Sequence, residues 1–362
     1  MKLIKVGKIK TRLIWFDSLG AKSSSVLVET PDLKLLIDPG ASGMQPSYPL
    51  PEDQKCLLRR LALEAIKKAA KIADGVFVSH YHYDHHTLPL EALEIYEGKT
   101  LWMKDPNLWI NRSQWERARV FLSQLYKLLK GKDLREQFGP SLKTNIEDPL
   151  NHLPLARHID YGDYQKRKEE LIIKGRRWFR RMVDLWISSE WVHEFSANHT
   201  EILFADGKAF RVGGTTLRFT RPLFHGIEYD RVGWVIGLVV ECGGIKFLYS
   251  SDLQGPMLED YAKWVIEEKP QILIMDGPAT YLFGYMLNRI NLNRAIANVK
   301  LILQETSPQV LIYDHHLPRD IRYRERVAEI YQAAEKDHKK VLTAAEWFGR
   351  EPLILRLKRE VR

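Results

Sequence analysis

Seven consecutive residues, His80-Tyr81-His82-Tyr83-Asp84-His85-His86, put four imidazoles and a carboxylate into one short stretch. Each imidazole needs a hydrogen-bond partner or a metal, so a protein has little structural reason to crowd them together. An internal position excludes an ordinary terminal tag, and the interleaved Tyr and Asp argue against a low-complexity tract. The chemistry these residue types offer is metal ligation by nitrogen and oxygen. Neither Cys56 nor Cys242 sits in a paired-ligand motif, so thiolate plays no part; both read as small buried hydrophobes.

The elements that must position this cluster follow a common habit. Val76-Phe77-Val78 ends at Ser79-His80, and Leu33 to Ile37 ends at Asp38-Pro39-Gly40. Ile245 to Tyr249 ends at Ser250-Ser251-Asp252, Ile272 to Met275 at Asp276, and Val310 to Tyr313 at Asp314-His315-His316. Short apolar, partly β-branched runs of this kind predict buried strands. Sites in layered α/β proteins form where strand C-terminal ends converge, so five such ends imply one sheet edge collecting ligands from distant parts of the chain. Between the strands, Leu58, Leu61, Ala65, Ile66, Ala69 and Ile72 recur at helical spacing and predict one buried helix face. Trp234 to Val240 reads as a strand that turns at Gly243-Gly244 into the one delivering Asp252.

The stretch from 102 to 199 is different. It lacks clear strand patterns and holds Trp102, Trp109, Trp115, Trp178, Trp186 and Trp191, six of the ten tryptophans. Trp115, Ala118, Leu122, Leu125 and Leu129 form one helical stripe; Ile172, Trp178, Phe179, Met182, Val183 and Trp186 form another. We read a helical insertion within a single domain spanning 1–362. The second helix carries Arg176, Arg177 and Arg180 among many cations. They could bind a phosphate-bearing substrate or simply form a solvated face over an aromatic core.

Bulk properties set the outer bounds. A 45% hydrophobic composition over 362 residues excludes a disordered chain, and two cysteines exclude a disulfide framework. The N-terminus lacks the continuous apolar core of a signal peptide, and no segment approaches the ~18 apolar residues of a membrane span. A cytoplasmic protein without a membrane partner is the expectation. A net charge of +9 leans toward an anionic small molecule or nucleic acid as substrate. The oligomeric state is not legible, although an exposed face on the Trp-rich insertion would serve self-association.

His80, His82, Asp84 and His85 spell His-x-His-x-Asp-His, and with them the chain closely resembles the metallo-β-lactamase-fold hydrolases. The other landmarks occur in order: Asp38 in Asp-Pro-Gly, His225 in Arg221-Pro222-Leu223-Phe224-His225-Gly226, Asp252 after the glycine hairpin, and Asp314-His315-His316. The segments Ser79 to His86, Ser251 to Pro256, Asp276-Gly277-Pro278 and Asp314 to Arg319 resemble more narrowly an archaeal-type family of that fold, which brings no substrate with it. The resemblance implies a four-layer αββα sandwich carrying the insertion. It implies two divalent ions: one held by His80, His82 and His225, a second by Asp84, His85 and His315, with Asp252 bridging. His315, directly after the strand end, is preferred to His316 as the last ligand; His316 then supports a ligand from behind or acts as a proton shuttle, catalytic together with Asp84. Asp38, His86, Asp276 and Asp314 are expected to support the ligands. Zinc suits this donor set best, with manganese or iron as options.

The implied reaction is hydrolysis, with a metal-bridged hydroxide attacking an anionic ester, first of all a phosphodiester and nucleic acid among them. A lactone, thioester or other carboxylic ester is the alternative on the same site, with the insertion tryptophans as an apolar lid. A non-catalytic, metal-stabilised binding protein is the alternative from another class.

Overall fold

The computed structural model describes residues 2–141 and 145–360; residues 1, 142–144 and 361–362, which fall within the predicted domain and insertion, lie outside the described residues. Two mixed sheets stack face to face. The first orders its strands as Ile4–Val6, Ile9–Phe16, Ser24–Glu29, Lys34–Ile37, Gly75–Val78, Thr100–Met103, Thr200–Phe204 and Phe195–Ala197. The second runs Ala209–Val212, Thr215–Phe219, Leu238–Cys242, Ile245–Tyr249, Ile272–Asp276, Val310–Asp314 and Val341–Leu342. Each sheet starts antiparallel and becomes parallel. The parallel part of the first includes Lys34–Ile37, Gly75–Val78 and Thr100–Met103; that of the second runs from Ile245–Tyr249 onward.

Alternation along each strand builds three apolar layers. Leu13, Val26, Leu35, Ile37 and Phe77 of the first sheet meet Leu238, Val240, Phe247, Ile272 and Ile274 of the second in the inter-sheet core. The intervening positions face outward. Leu27, Leu36, Val76 and Leu101 lie under helices Glu52–Ala70 and Arg112–Lys130, and Leu248, Leu273, Met275 and Leu311 lie under Glu259–Glu268, Arg289–Glu305 and Ala328–Lys336. Parallel strands buried on both faces explain why those runs read as continuous apolar segments. The result is the four-layer αββα sandwich. The hairpin at Gly243-Gly244 pairs Leu238–Cys242 with Ile245–Tyr249, with both glycines at positive φ, as its two-residue turn requires.

Two details depart from the sequence pattern. In helix Glu52–Ala70 the buried face is Ala62, Leu63, Ile66, Ala69 and Ala70, while Leu61 is exposed, as is Ile72 just beyond the helix. The helix begins earlier than expected, after Pro51, and its contact face is rotated toward the small residues, which let it approach the sheet. Cys242 is buried, but Cys56 is exposed on that helix.

Within the 102–199 stretch, Trp102 belongs to the sheet strand Thr100–Met103 and Phe195–Ala197 is an edge strand; a short pair, Phe138–Gly139 with Trp191–Val192, lies between them. Helices Arg112–Lys130 and Gln165–Ser188 dominate the rest. Both predicted stripes face inward: Ala118, Leu122, Leu125, Leu129, Trp178, Phe179 and Trp186 are buried. Trp109, Trp178, Phe179, Trp186 and Trp234 form an aromatic cluster, with the Trp178 and Trp234 rings stacked at 5.3 Å. Trp102, Trp178, Trp186 and Trp191 are therefore core, and Trp109 and Trp115 are half-buried against it. Among the described residues no helix is long and apolar enough to cross a membrane.

Candidate metal centre

The parallel strands of both sheets end at one edge, and the chain leaves them through sharp turns. Asp38, Ser251, Gln254, His315 and His316 all have positive φ, between 42° and 56°. Non-glycine residues in this region carry a cost and persist where surrounding contacts hold them. Gly40 lets the motif loop close in: a Cβ there would lie 2.3 Å from the backbone nitrogen of His86 and 2.5 Å from that of His85. Only a glycine allows the Asp38-Pro39-Gly40 turn to pack against the His82–His86 loop.

Those turns deliver the donors to one buried point. Oδ2 of Asp252 faces five imidazole Nε2 atoms: His85 at 3.1 Å, His225 at 3.2 Å, His315 at 3.5 Å, and His80 and His316 at 3.6 Å each. His80 Nε2 lies 2.9 Å from His82 Nδ1, and His85 Nε2 3.1 Å from His315 Nε2. Yet neither oxygen of Asp252 nor Nε2 of His225 has a hydrogen-bond partner, although all three atoms are buried. Buried polar atoms left unpaired are costly and rare. These three atoms lie close to other donors without a hydrogen bond to any of them, as atoms converging on an ion do. Three sets could each hold an ion: His80, His82, His225 and Asp252; Asp84, His85 and His315; and Asp252, His315 and His316.

Behind the donors, carboxylates hold the far nitrogens. Asp38 accepts from His85 Nδ1 at 2.7 Å, from the Ser79 amide and hydroxyl at 2.7 and 2.6 Å, and from the Tyr249 hydroxyl at 2.7 Å. Asp17 lies 3.0 Å from His315 Nδ1. Asp276 accepts the amides of Leu253 and Gln254 at 3.0 and 2.8 Å and lies 3.3 Å from His316 Nδ1. The Gln254 amide reaches His225 Nδ1 at 3.1 Å. Such partners fix which ring nitrogen is free to ligate. Asp314 acts farther out, accepting the amides of Ser18, His315 and Ala344. His86 sits over the backbone, its Nδ1 3.0 Å from the His82 carbonyl, and its Nε2 has no partner.

Charge is unevenly distributed across this cluster. Burial, then the neighbouring His85 and His82, pushes His80 well below the ordinary histidine range. Burial opposes protonation of His85 too, but Asp252 and Asp38 outweigh it and carry it up to about 10. Burial works against ionised Asp252, yet His85, His315 and His316 hold it well below the usual carboxylate range. Burial, reinforced by Asp252, drives Asp276 well above that range.

The cluster opens into a cavity of about 330 Å³. Its lining includes the cations Lys22, Arg117 and Arg319 and the apolar Ile227, Met257, Leu282 and Met286. Tyr83 and Tyr281 also line it, and the Arg117 guanidinium lies over the Tyr83 ring at 5.0 Å. The insertion is tied to this rim by the start of helix Arg112–Lys130. Asn111 caps that helix through the Gln114 amide at 2.8 Å and donates to the carbonyls of Arg231 and Val232. Gln114 itself donates to Val232 at 2.8 Å, and its amide nitrogen approaches His82 Nε2 at 3.4 Å.

With fold and geometry in hand, comparison with known proteins is direct. Residues 20–86 match the family model of the metallo-beta-lactamase superfamily. A UPF0282 protein of Korarchaeum cryptofilum is 33% identical over 346 residues, covering 95% of this chain and 91% of its own. The chain belongs to the UPF0282 family. A second UPF0282 protein, from Methanopyrus kandleri, is 32% identical over 357 residues, 95% of this chain and 96% of its own. Among solved structures, a mutant metallo-beta-lactamase from Cronobacter sakazakii aligns over 93% of this chain and 96% of its own, at 14% identity and a TM-score of 0.33. That likeness is loose; the fold assignment rests on the family model and the layers themselves.

Of the residues singled out in the sequence, His80, His82, Asp84, His85, His225, Asp252, His315 and His316 come together, and Asp38, Asp276 and Asp314 lie behind them. Arg176, Arg177 and Arg180 do not line the cavity. Arg176 pairs with Asp148 at 2.8 Å, and Arg177 and Arg180 are exposed on the outer face of their helix. None of the six insertion tryptophans lines the cavity either. The cations over the site are Lys22, Arg117 and Arg319, which sequence reasoning did not select. Asp17 and Tyr249 were missed as well. Asp17 ends the Ile9–Phe16 strand as Asp38 ends its own, a signal that was there to read; Arg319 closes the Asp314–Arg319 segment that carried the narrower resemblance, and Lys22 carried no signal.

Proposed function

We propose that this UPF0282 protein is a metal-dependent hydrolase of an anionic ester, a phosphodiester first, using two divalent ions, zinc by donor type. The observation that carries the reading is a buried His/Asp cluster with unpaired donor atoms, opening into a cavity whose lining includes Lys22, Arg117 and Arg319. His80, His82, His225 and Asp252 would hold one ion; Asp84, His85 and His315 the other. When bound, such ions supply an acidified water and Lewis-acid polarisation of the ester oxygen. The three cations orient an anionic group against the cluster, and Tyr83 and Tyr281 flank it. His316 would hand a proton to the leaving group, a role supported by its Nδ1 lying beside Asp276 and by its ring lining the cavity. A carboxylic ester or thioester is the second reading, favoured by the apolar lining residues Ile227, Met257, Leu282 and Met286.

The test is incubation of zinc- or manganese-loaded protein with bis(p-nitrophenyl) phosphate, short RNA and single-stranded DNA, beside a lactone and a thioester. Phosphodiester turnover that disappears in Asp84→Ala supports the first reading. Turnover of the acyl substrates alone replaces it with the second. No turnover of either class by protein holding its metal would point to a binding protein.

A further inference from the structure

Arg319 stands against two of the residues that a second ion needs. Its Nη2 lies 3.0 Å from Asp84 Oδ2 and against the His315 ring, 3.3 Å from Nε2 and 3.4 Å from Nδ1. The other edge of the guanidinium pairs through Nε with the fully buried Asp17, which also receives the Ser23 amide at 2.9 Å. The group is thus anchored at the Nε end, while its residue also lines the cavity. An arginine does not give up its charge inside a protein. The Asp84–His315 pair therefore has a permanent cation against it, and guanidinium and metal cannot both occupy that place. Nothing comparable stands at the other position. There, among the described residues, the Asp252 oxygens and His225 Nε2 lack any hydrogen-bond partner, and no lysine or arginine pairs with His80, His82, His225 or Asp252.

We infer that Arg319 competes with the second ion for Asp84 and His315, making the two positions unequal. The ion at His80, His82, His225 and Asp252 binds first. The second binds only as the Nη2 end of Arg319 is displaced toward the cavity, where an anionic group of the substrate would meet it. Arg319 is a positioning residue on this account: it sets metal occupancy and links it to anion binding. The inference rests on the two-ion reading above.

Zinc titration against a chromophoric chelator, with ions counted by native mass spectrometry, tests it without any activity assay. The comparison is between the parent protein and Arg319→Gln, which can still hydrogen-bond Asp17 but lacks the charge and the reach. Two separated binding steps are expected in the parent. In the variant the second step should tighten by about 10- to 100-fold, what one charge-assisted hydrogen bond contributes, with the first step unchanged. Two ions with the same second-step affinity in both proteins overturn the inference and leave the two-ion reading standing. A single ion in both overturns the two together. Should Arg319→Gln fail the circular-dichroism check for folding, cobalt(II) absorption of the parent alone decides. One band set complete at one equivalent before another grows supports the inequality; simultaneous growth rejects it.

Discussion

Replacing Asp38 by Asn would change one atom and expose how much of the centre depends on a residue that need touch no metal. Asp38 is fully buried at φ 44°, a conformation Asn tolerates, so the substitution adds little backbone strain. Oδ1 accepts the Ser79 amide, a role the Asn carbonyl can keep. Oδ2 accepts from three groups: His85 Nδ1, the Tyr249 hydroxyl and the Ser79 hydroxyl. An NH2 group at that position confronts all three with a donor. The Ser79 hydroxyl can turn to His80 or Ser251, and the Tyr249 hydroxyl has only a 3.4 Å alternative at the Ser24 carbonyl. In the metal-loaded protein, where His85 must be neutral, its ring can satisfy the new donor only by giving up the Nδ1 proton and carrying one on Nε2, the atom facing Asp252 and His315. One donor left poorly paired and one conflicting pair cost about 2–4 kcal/mol of folding stability. The tautomer switch costs about 10- to 100-fold in metal affinity at the position His85 serves. Urea denaturation of the metal-free protein and chelator competition of the loaded protein measure the two effects separately. Stability and affinity both equal to the parent would refute the orienting role of Asp38.

Three further outcomes follow from the same structure. Trp186→Ala, which empties the centre of the aromatic cluster and removes the indole bond to the Ile110 carbonyl, should lower stability by about 3–5 kcal/mol in urea melts; a loss under 1 kcal/mol would mean the insertion packs differently. Arg117→Ala should raise KM for an anionic ester about tenfold, whereas Arg176→Ala, tied to Asp148 away from the cavity, should leave it unchanged; equal effects would put the substrate elsewhere. Burial, then Asp206, pushes Asp105 up to about 6, above its unfolded value near 4, so the unfolded chain ionises first and stability falls as pH rises from about 4 to 6. Asp105→Asn should flatten that slope and gain about 1–2 kcal/mol at pH 8; an unchanged slope from pH-dependent denaturation would rule Asp105 out as its source.

The sequence by itself determined the layers and the donors. Strand runs buried on both faces must be apolar throughout, so Val76 to Val78, Ile272 to Met275 and Val310 to Tyr313 were legible, and a polar residue at the end of each marked the edge where chemistry gathers. The His80–His85 spacing marked one half of the cluster; His225, Asp252 and His315 were named through the resemblance to the metallo-β-lactamase-fold hydrolases, and the structure brings all of them together. What lay beyond reach was decided by contacts between residues hundreds of positions apart. Asp17 meets Arg319, Arg319 meets Asp84, and Lys22 and Arg117 face one cavity, pairings that no local pattern specifies. The charge-rich helix with Arg176 left two readings open for the same reason: a run of cations reports exposure, and only packing says what the exposed face looks at. Donors are written in strand ends, whereas the space above them is made by whichever loops the two sheets bring together.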